Sequence, residues 1–396
     1  MPPQAPSLRV AIVAGESSGD ALGAALIEAL RARAPDLAVV GVAGPAMRAA
    51  GCEPLADAHQ LSVMGLTEVL PHLPRLLRLR ARLAREIAAR APDVFVGVDY
   101  QQFNLGLALR LKAQGIATVQ YVSPQVWAWR QGRVRTIGRA FDLVLCLLPF
   151  EPDFYREHAV AARFVGHPLA DQIPMQPDRA AARAALGLDA HATVLALLPG
   201  SRLGEVERLA VPFLRAAALL AARRPGLVVV APMAASAVRG AFERARSAVG
   251  AAPPLLRVLD GQSRTALTAA DVALIASGTA TLESLLCRCP MVVAYRFGRM
   301  TALLVRALRL VRLPYFALPN LLAGEALAPE FLQEAVRPAP MADALERLLA
   351  DAPRREYLQS RFEAIHASLR QQGAALAAEA VIQCARERRA RTGGGE

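Results

Sequence analysis

The chain has 396 residues, room for two α/β domains, and is 54% hydrophobic with only 5% aromatics. Its formal charge of +12 is almost all arginine, which points to an Arg/Ala compositional bias more than to a nucleic-acid partner. Lys112 is the only lysine; it lies in no Walker A loop, and its helical LRLKAQG setting speaks against a Schiff-base or pyridoxal role.

No apolar run approaches the roughly eighteen residues of a membrane span. MPPQAPSLRV has no signal-peptide core, so a cytosolic protein is expected. Cys52, Cys146, Cys287, Cys289 and Cys384 form no CxxC pair and read as reduced, mostly buried thiols.

Arg9 to Ala14 is a first strand, followed by GESSGD and a helix to about Arg33. Gly15, Glu16, Ser17, Ser18 and Gly19 make a small-residue loop whose backbone suits a close ligand, with Asp20 beside it; a tight βα turn is the plainer reading. The loop is not GxGxxG, so no dinucleotide fingerprint is met. A strand at Leu37–Val42 and a βα turn at GPAMRAAG follow.

From Leu61 to Arg90, an apolar loop with Val63, Met64, Leu66, Val69 and Leu70 leads into a helix. Leu73, Leu76, Leu77, Leu83 and Ile87 line one face of that helix. Arg75, Arg78, Arg80, Arg82, Arg85 and Arg90 crowd the remainder. A basic amphipathic helix beside an apolar loop has the character of an interfacial membrane contact. An ordinary surface helix is the competing reading.

PDVFVGVD is a strand ending in Asp99 at its carboxyl edge, where open α/β sheets bind ligands. Asp99 is a candidate general base or a turn cap. A helix (Asn104–Gln114) and a strand (Ala117–Val122) lead to YVSPQVWAWRQGR, an aromatic-plus-arginine loop with Trp127 and Arg130; core tryptophans or a domain-interface plug remain open. A strand at Phe141–Leu147, PFEPDFYREH and FVGHPLAD close this half.

After a linker from Ile173 to His191, a second β/α series begins. Thr193–Leu198 feeds PGSRLGE and a helix opened by Arg202. Strands follow at Leu227–Pro232 and Leu255–Leu259. Then DVALIASGTATLE passes from a buried strand through Ser277, Gly278 and Thr279 into a helix with Ala280, Thr281 and Glu283. Such a helix start leaves unpaired N–H groups and partial positive charge, suited to a diphosphate, with hydroxyl donors added and Glu283 placed for a ribose. A capped helix without ligand is the alternative. A strand at Met291–Tyr295 precedes an arginine-leucine stretch with Arg296, Arg299, Arg306, Arg309 and Arg312, and then LPN at Leu318–Asn320. A helical tail starts near Met341. Two such series predict two Rossmann-like parallel-sheet domains facing a cleft, residues 1–171 and 172–345, with a helical tail at 346–396 packing back on an N-terminal domain.

The economical chemistry is nucleotide-sugar transfer. Asp99 would take the proton of the attacking hydroxyl, while Arg202 and the turn from Ser277 to Thr281 would cradle the leaving diphosphate without a metal, no DxD-like cluster being present.

The blocks GESSGD, SVMGLTEVLPHLP, PDVFVGVD, YVSPQVWAWR, FVGHPLAD, LPGSRLGEV, ASGTATLE and LPNLLAGEALAPEFLQ, in order from about Arg9 to Gln333, resemble the lipid-A-disaccharide synthases. The resemblance implies a GT-B fold and an inverting, metal-independent transfer without cofactor. The donor would be UDP-2,3-diacylglucosamine, the acceptor 2,3-diacylglucosamine 1-phosphate and the product a β(1→6) disaccharide. It places the essential aspartate and arginine on Asp99 and Arg202, and the UDP site on Ser277 to Glu283 with Asn320. It further implies peripheral association with the inner membrane and a homodimer with exchanged C-terminal parts. The chain departs from the family pattern at Tyr100-Gln101-Gln102, where many members carry proline and an acid, and at Gln125, where serine is common. Another GT-B enzyme of UDP-N-acetylglucosamine, a transferase to a lipid-linked acceptor or a 2-epimerase, is the sister reading. An arginine-rich nucleic-acid or lipid-binding scaffold is the distant one, without an aromatic platform or recognition helix to support it.

Overall fold

The structure, a computed structural model, describes residues 8–62, 69–127, 131–250, 252–298 and 314–393. The chain forms two compact units, Met1–Asp171 with Leu369–Glu396, and Gln172–Ser368.

The first unit alternates strand and helix: β1 (Arg9–Ala14), α1 (Ser17–Arg31), β2 (Ala38–Ala43), α2 (Pro45–Ala49), β3 (Glu53–Asp57), α3 (His59–Ser62) and α4 (Val69–Ala89). It continues with β4 (Val94–Val98), α5 (Gln101–Lys112), β5 (Ala117–Tyr121), α6 (Val134–Ala140), β6 (Leu143–Cys146), α7 (Glu151–Arg156), β7 (Ala162–Phe164) and α8 (Pro168–Gln172). All seven strands pair in parallel in the order β3-β2-β1-β4-β5-β6-β7. Central strands such as Val94–Val98 are buried along their whole length, because helices cover both faces; that is why they read as unbroken apolar runs. One face packs Ile12, Val96 and Val119 against α1, and the other packs Phe95 and Val144 against Leu83 and Ile87 of α4 and Phe103 of α5.

The second unit holds α9 (Arg179–Ala185), β8 (Val194–Leu198), α10 (Leu203–Arg223), β9 (Val228–Met233), α11 (Ser236–Val249), β10 (Leu255–Asp260), α12 (Ser263–Ala269), β11 (Val272–Ala276) and α13 (Thr279–Leu286). After these come β12 (Met291–Tyr295), α14 (Leu318–Ala323), β13 (Glu330–Leu332), α15 (Pro338–Ala350) and α16 (Ala352–Leu369). Its parallel sheet runs β10-β9-β8-β11-β12-β13. The last helix, α17 (Gly373–Gly393), belongs to the first unit. There Ala377, Ala378, Val381 and Ala385 complete the core beside α1, and Asp171 accepts from the amides of Gln372 (2.9 Å) and Gly373 (2.6 Å). The helices up to Ser368 stay with the second unit, so the tail is shared between the two.

Three strands escape the sequence reading, β3, β7 and β13. Each is a short strand at a sheet edge, and β3 carries Pro54, whose missing N–H suits an edge. GPAMRAAG holds a helix, α2, and not a simple turn. All five cysteines are buried and free, and Lys112 is paired with Asp142 at 2.9 Å.

Candidate active site

Each sheet reverses its direction of strand progression once, between β1 and β4 in the first unit and between β8 and β11 in the second. Such switch points open a crevice at the carboxyl ends of the strands, the usual ligand position in doubly wound sheets. GESSGD follows β1 and Asp99 follows β4; PGSR follows β8 and SGT follows β11. The four stretches singled out from sequence therefore occupy the two switch points.

At the first, Gly15 is obligatory for space, since a Cβ there would lie 2.6 Å from the Tyr100 ring. At Gly19 a Cβ would sit 3.8 Å from that of Asp99. Glu16, Ser17 and Ser18 are exposed at the start of α1. Asp20 is not part of this surface. It is buried and accepts from the amides of Gly44 (2.8 Å), Ala46 (2.8 Å) and Met47 (3.2 Å), capping α2. Asp99 is half-buried, and among the described residues no donor meets its carboxylate, so it caps no turn. Burial, and then the charge of Glu16, raise its pKa above the ordinary carboxylate value. Its backbone lies at φ +50°.

Tyr100, Gln101 and Gln102 are built into the frame. Tyr100 is the N-cap of α5 and Gln101 its first residue. The carbonyl of Gln102 accepts from Arg80 Nη2 at 3.2 Å, whose guanidinium also lies 5.2 Å over the Phe103 ring. Arg80 thus turns inward to brace α5, away from the basic rim expected of it.

Trp127 is buried, its indole N–H donating to Glu151 Oε1 at 2.9 Å and its ring edge-on to Phe150 at 4.9 Å. It anchors its loop from inside; it does not present a face to a ligand. Glu151, unremarked in PFEPDF, also accepts from the amides of Leu147 (3.1 Å) and Leu148 (3.0 Å). Burial pushes its pKa up to about 7 despite those donors. Gln125 opens the short 3-10 turn that ends at Trp127, and Arg130 lies outside the described residues.

At the second switch point Arg202 is the N-cap of α10, with its side chain 84% exposed and only a 3.6 Å approach to Glu205. Glu205 holds the loop by accepting from the amides of Ser201 (3.2 Å) and Arg202 (3.3 Å). In the following turn, Gly278 stands at φ +155°, a backbone that L-residues avoid. Thr279 is exposed and Ala280 half-buried.

Several expected ligand groups here are already spent on the protein. Thr281 is fully buried, its hydroxyl donating to the Gly278 carbonyl at 2.8 Å. Ser277 Oγ donates to the Phe316 carbonyl at 3.2 Å. Glu283 lies beyond the first turn of α13 and pairs with Arg264 at 3.3 Å. Asn320 is fully buried with every bond used, Nδ2 donating to Ala328 O and Glu330 Oε1 and Oδ1 accepting from the Leu327 and Ala328 amides, all at 2.8 Å. Sequence reasoning missed Glu330, which also accepts from the amides of Phe316 and Ala317 and so ties this frame to the turn.

In the expected membrane segment, Val63, Met64 and Leu66 lie outside the described residues, as do the side chains of Val69, Leu70 and Leu73. Leu76 belongs to the core beside Leu83, whereas Leu77, Arg75 and Arg78 are exposed. No helix among the described residues is long and apolar enough to cross a membrane.

Residues 10–384 match the family model described as lipid-A-disaccharide synthetase. The chain is 53% identical over 384 residues to the lipid-A-disaccharide synthase of Pseudomonas aeruginosa, covering 97% of this chain and 100% of that one. It is 52% identical over 380 residues to that of Alkalilimnicola ehrlichii, covering 96% and 99%. Among solved structures, the calicheamicin glycosyltransferase CalG4 shares the fold at a TM-score of 0.59 and 18% identity, over 96% of this chain and 98% of that one.

Proposed function

Because the chain belongs to the lipid-A-disaccharide synthase family, we propose that Asp99 and Arg202 carry the two halves of one glycosyl transfer. The chain is a GT-B glycosyltransferase of lipid A disaccharide synthesis, using a UDP-sugar and a lipid-linked sugar. The donor is UDP-2,3-diacylglucosamine and the acceptor 2,3-diacylglucosamine 1-phosphate. Asp99 takes the proton of the acceptor 6-hydroxyl as its oxygen bonds to the anomeric carbon. The bond from that carbon to the diphosphate oxygen breaks on the opposite face, inverting the centre and giving the β(1→6) disaccharide 1-phosphate and UDP. Arg202 and the Gly278, Thr279 and Ala280 backbone at the start of α13 meet the charge on the departing diphosphate.

The observation that carries this reading is the Asp99 carboxylate, half-buried at a switch point and without a donor among the described residues, its pKa raised above the ordinary carboxylate value. Thr281, Ser277 and Asn320 enter as builders of the UDP turn, and Glu16 and Gly15 to Gly19 as the acceptor side. Folded protein with both lipid substrates in detergent micelles should yield UDP and the tetraacyl disaccharide by mass spectrometry. Absence of disaccharide refutes the function, and full activity of Asp99→Asn refutes the base.

Peripheral association with the inner membrane is part of the same proposal, supported by exposed Leu77 between Arg75 and Arg78 and by acylated substrates that live in a bilayer. Sedimentation with anionic vesicles, lost in Leu77→Glu, tests it. A homodimer exchanging C-terminal parts would seat the partner's last helix where this chain seats α17; light scattering decides between dimer and monomer.

A further inference from the structure

Two strand ends next to each other leave their strands through unusual backbone. Asp99, just after β4, has φ +50°, and Val122, just after β5, has φ +77°. Aspartate tolerates the left-handed region, but a β-branched residue there is a genuine outlier that surrounding structure must hold in place. β4 and β5 are hydrogen-bonded neighbours, with Val98 opposite Tyr121.

One side chain reaches both outliers. Gln120, the penultimate residue of β5, is fully buried. Its Nε2 donates to the Asp99 carbonyl at 2.9 Å and to the Val122 carbonyl at 3.3 Å, with the Tyr121 carbonyl at 3.4 Å. The Asp99 amide completes the tie by donating to the Tyr121 carbonyl at 2.9 Å. The cost shows on the other end of the amide, where Oε1 is buried without a hydrogen bond among the described residues. A buried amide whose acceptor is unsatisfied while its donor meets three carbonyls is used through its donor.

We infer that Gln120 is a positioning residue for the reaction: its amide clamps the carbonyls of Asp99 and Val122 and so aims the Asp99 carboxylate. It touches no substrate and acts only through the backbone of the base. The inference rests on the reading of Asp99 as base. Because one Nε2 serves both strand ends, the clamp also fixes the departure of the Ser123–Trp127 loop relative to Asp99.

Gln120→Met keeps the size and removes the donor. We expect kcat to fall about tenfold to a hundredfold, the scale of a small misplacement of a reacting group, with both KM values within about twofold. The acid limb of kcat should move toward the ordinary carboxylate range as Asp99 loses its burial beside Glu16 and Tyr100. Gln120→His restores an N–H donor and should recover kcat to within about threefold. Undiminished kcat in folded Gln120→Met overturns the inference, as does a loss explained wholly by a smaller folded fraction. If Gln120→Met does not fold, Gln120→His alone decides: a loss of tenfold or more in the folded protein overturns it. Asp99→Asn run alongside separates the two ideas. Activity in Asp99→Asn refutes the base itself, whereas an inactive Asp99→Asn beside an unaffected Gln120→Met refutes only the clamp.

Discussion

Asn320→Ala separates a ligand contact from a structural keystone. The side chain makes four hydrogen bonds, each 2.8 Å, in a fully buried position. Truncation strands the Ala328 amide and carbonyl, and it strips one bond each from the Leu327 amide, which keeps the Glu325 carbonyl at 3.0 Å, and from Glu330 Oε1, which keeps the Ala317 amide at 2.9 Å. At about 1 kcal/mol for each buried bond, the loss is roughly 4 kcal/mol, a large share of the 5–15 kcal/mol that holds a typical domain together. For a unit of this size that is a fall in melting temperature on the order of 10 °C. Thermal melts with and without UDP are the assay, beside Asn320→Asp. The aspartate keeps the acceptor for both amides but turns a second oxygen toward the Ala328 carbonyl and the Glu330 carboxylate, so it should be no more stable than the alanine variant. UDP affinity should weaken only through the frame, by way of the Glu330 bonds to Phe316 and the Phe316 bond to Ser277. A melting temperature within about 2 °C of the parent with UDP binding abolished would refute the structural assignment and return Asn320 to the ligand.

Arg202→Ala should behave in the opposite way. Among the described residues its exposed side chain makes only a long surface pair with Glu205, so stability should change by less than about 1 kcal/mol, while kcat should fall on the order of a hundredfold as diphosphate charge loses its partner. Arg202→Lys should recover part of that, and UDP-release kinetics report both. Gly15→Ala drives a Cβ into three Tyr100 atoms at 2.6 to 2.9 Å; denaturant titrations should show a loss of about 1–3 kcal/mol, relieved in part in the double variant with Tyr100→Ala, which removes the two ring atoms and keeps the Cβ at 2.9 Å. Glu151 supplies a pH signature. Its folded pKa of about 7 exceeds the ordinary 4.5, so the folded state binds the proton more tightly and its contribution is present below pH 4.5 and lost as pH rises through 7. The change is about 3 kcal/mol. Unfolding free energies of the parent minus Glu151→Gln should decline between pH 5 and 8, and a flat difference refutes the assignment.

The two-unit plan was legible because parallel strands covered on both faces must be apolar throughout, and each ends where small residues start a helix. That syntax marks β1, β4, β8 and β11 plainly. It fails at edge strands, where β3, β7 and β13 are short and half-exposed, and Pro54 imitates a loop. The placement of the candidate site was legible to the same depth. Asp99, Arg202 and the turn at Gly278 stand at strand ends that the topology places at the two switch points, and their positions follow from chain order alone.

How each polar group spends its hydrogen bonds is another matter, because that depends on segments far away in sequence. Asp20 looks like a loop acid until α2 brings three amides to it. Thr281 looks like a phosphate donor until the Gly278 carbonyl turns back toward it, and Asn320 until residues 327 to 330 close around it. Trp127 looks like a stacking surface until Glu151, the first residue of the helix that follows β6, takes its N–H. In each case a residue type suited to ligand binding is equally suited to satisfying stranded backbone, and burial decides which demand is met first. What distinguishes the residues proposed to do the chemistry is unspent capacity. Among the described residues, Asp99 has a half-buried carboxylate with no donor, and Arg202 has an exposed guanidinium with a single distant acid. Gln120 lies between these classes, since its donor is fully used while its acceptor is idle. That asymmetry is costly for a mere filler of the core and reasonable for a clamp, whose purpose is served by one end of the amide.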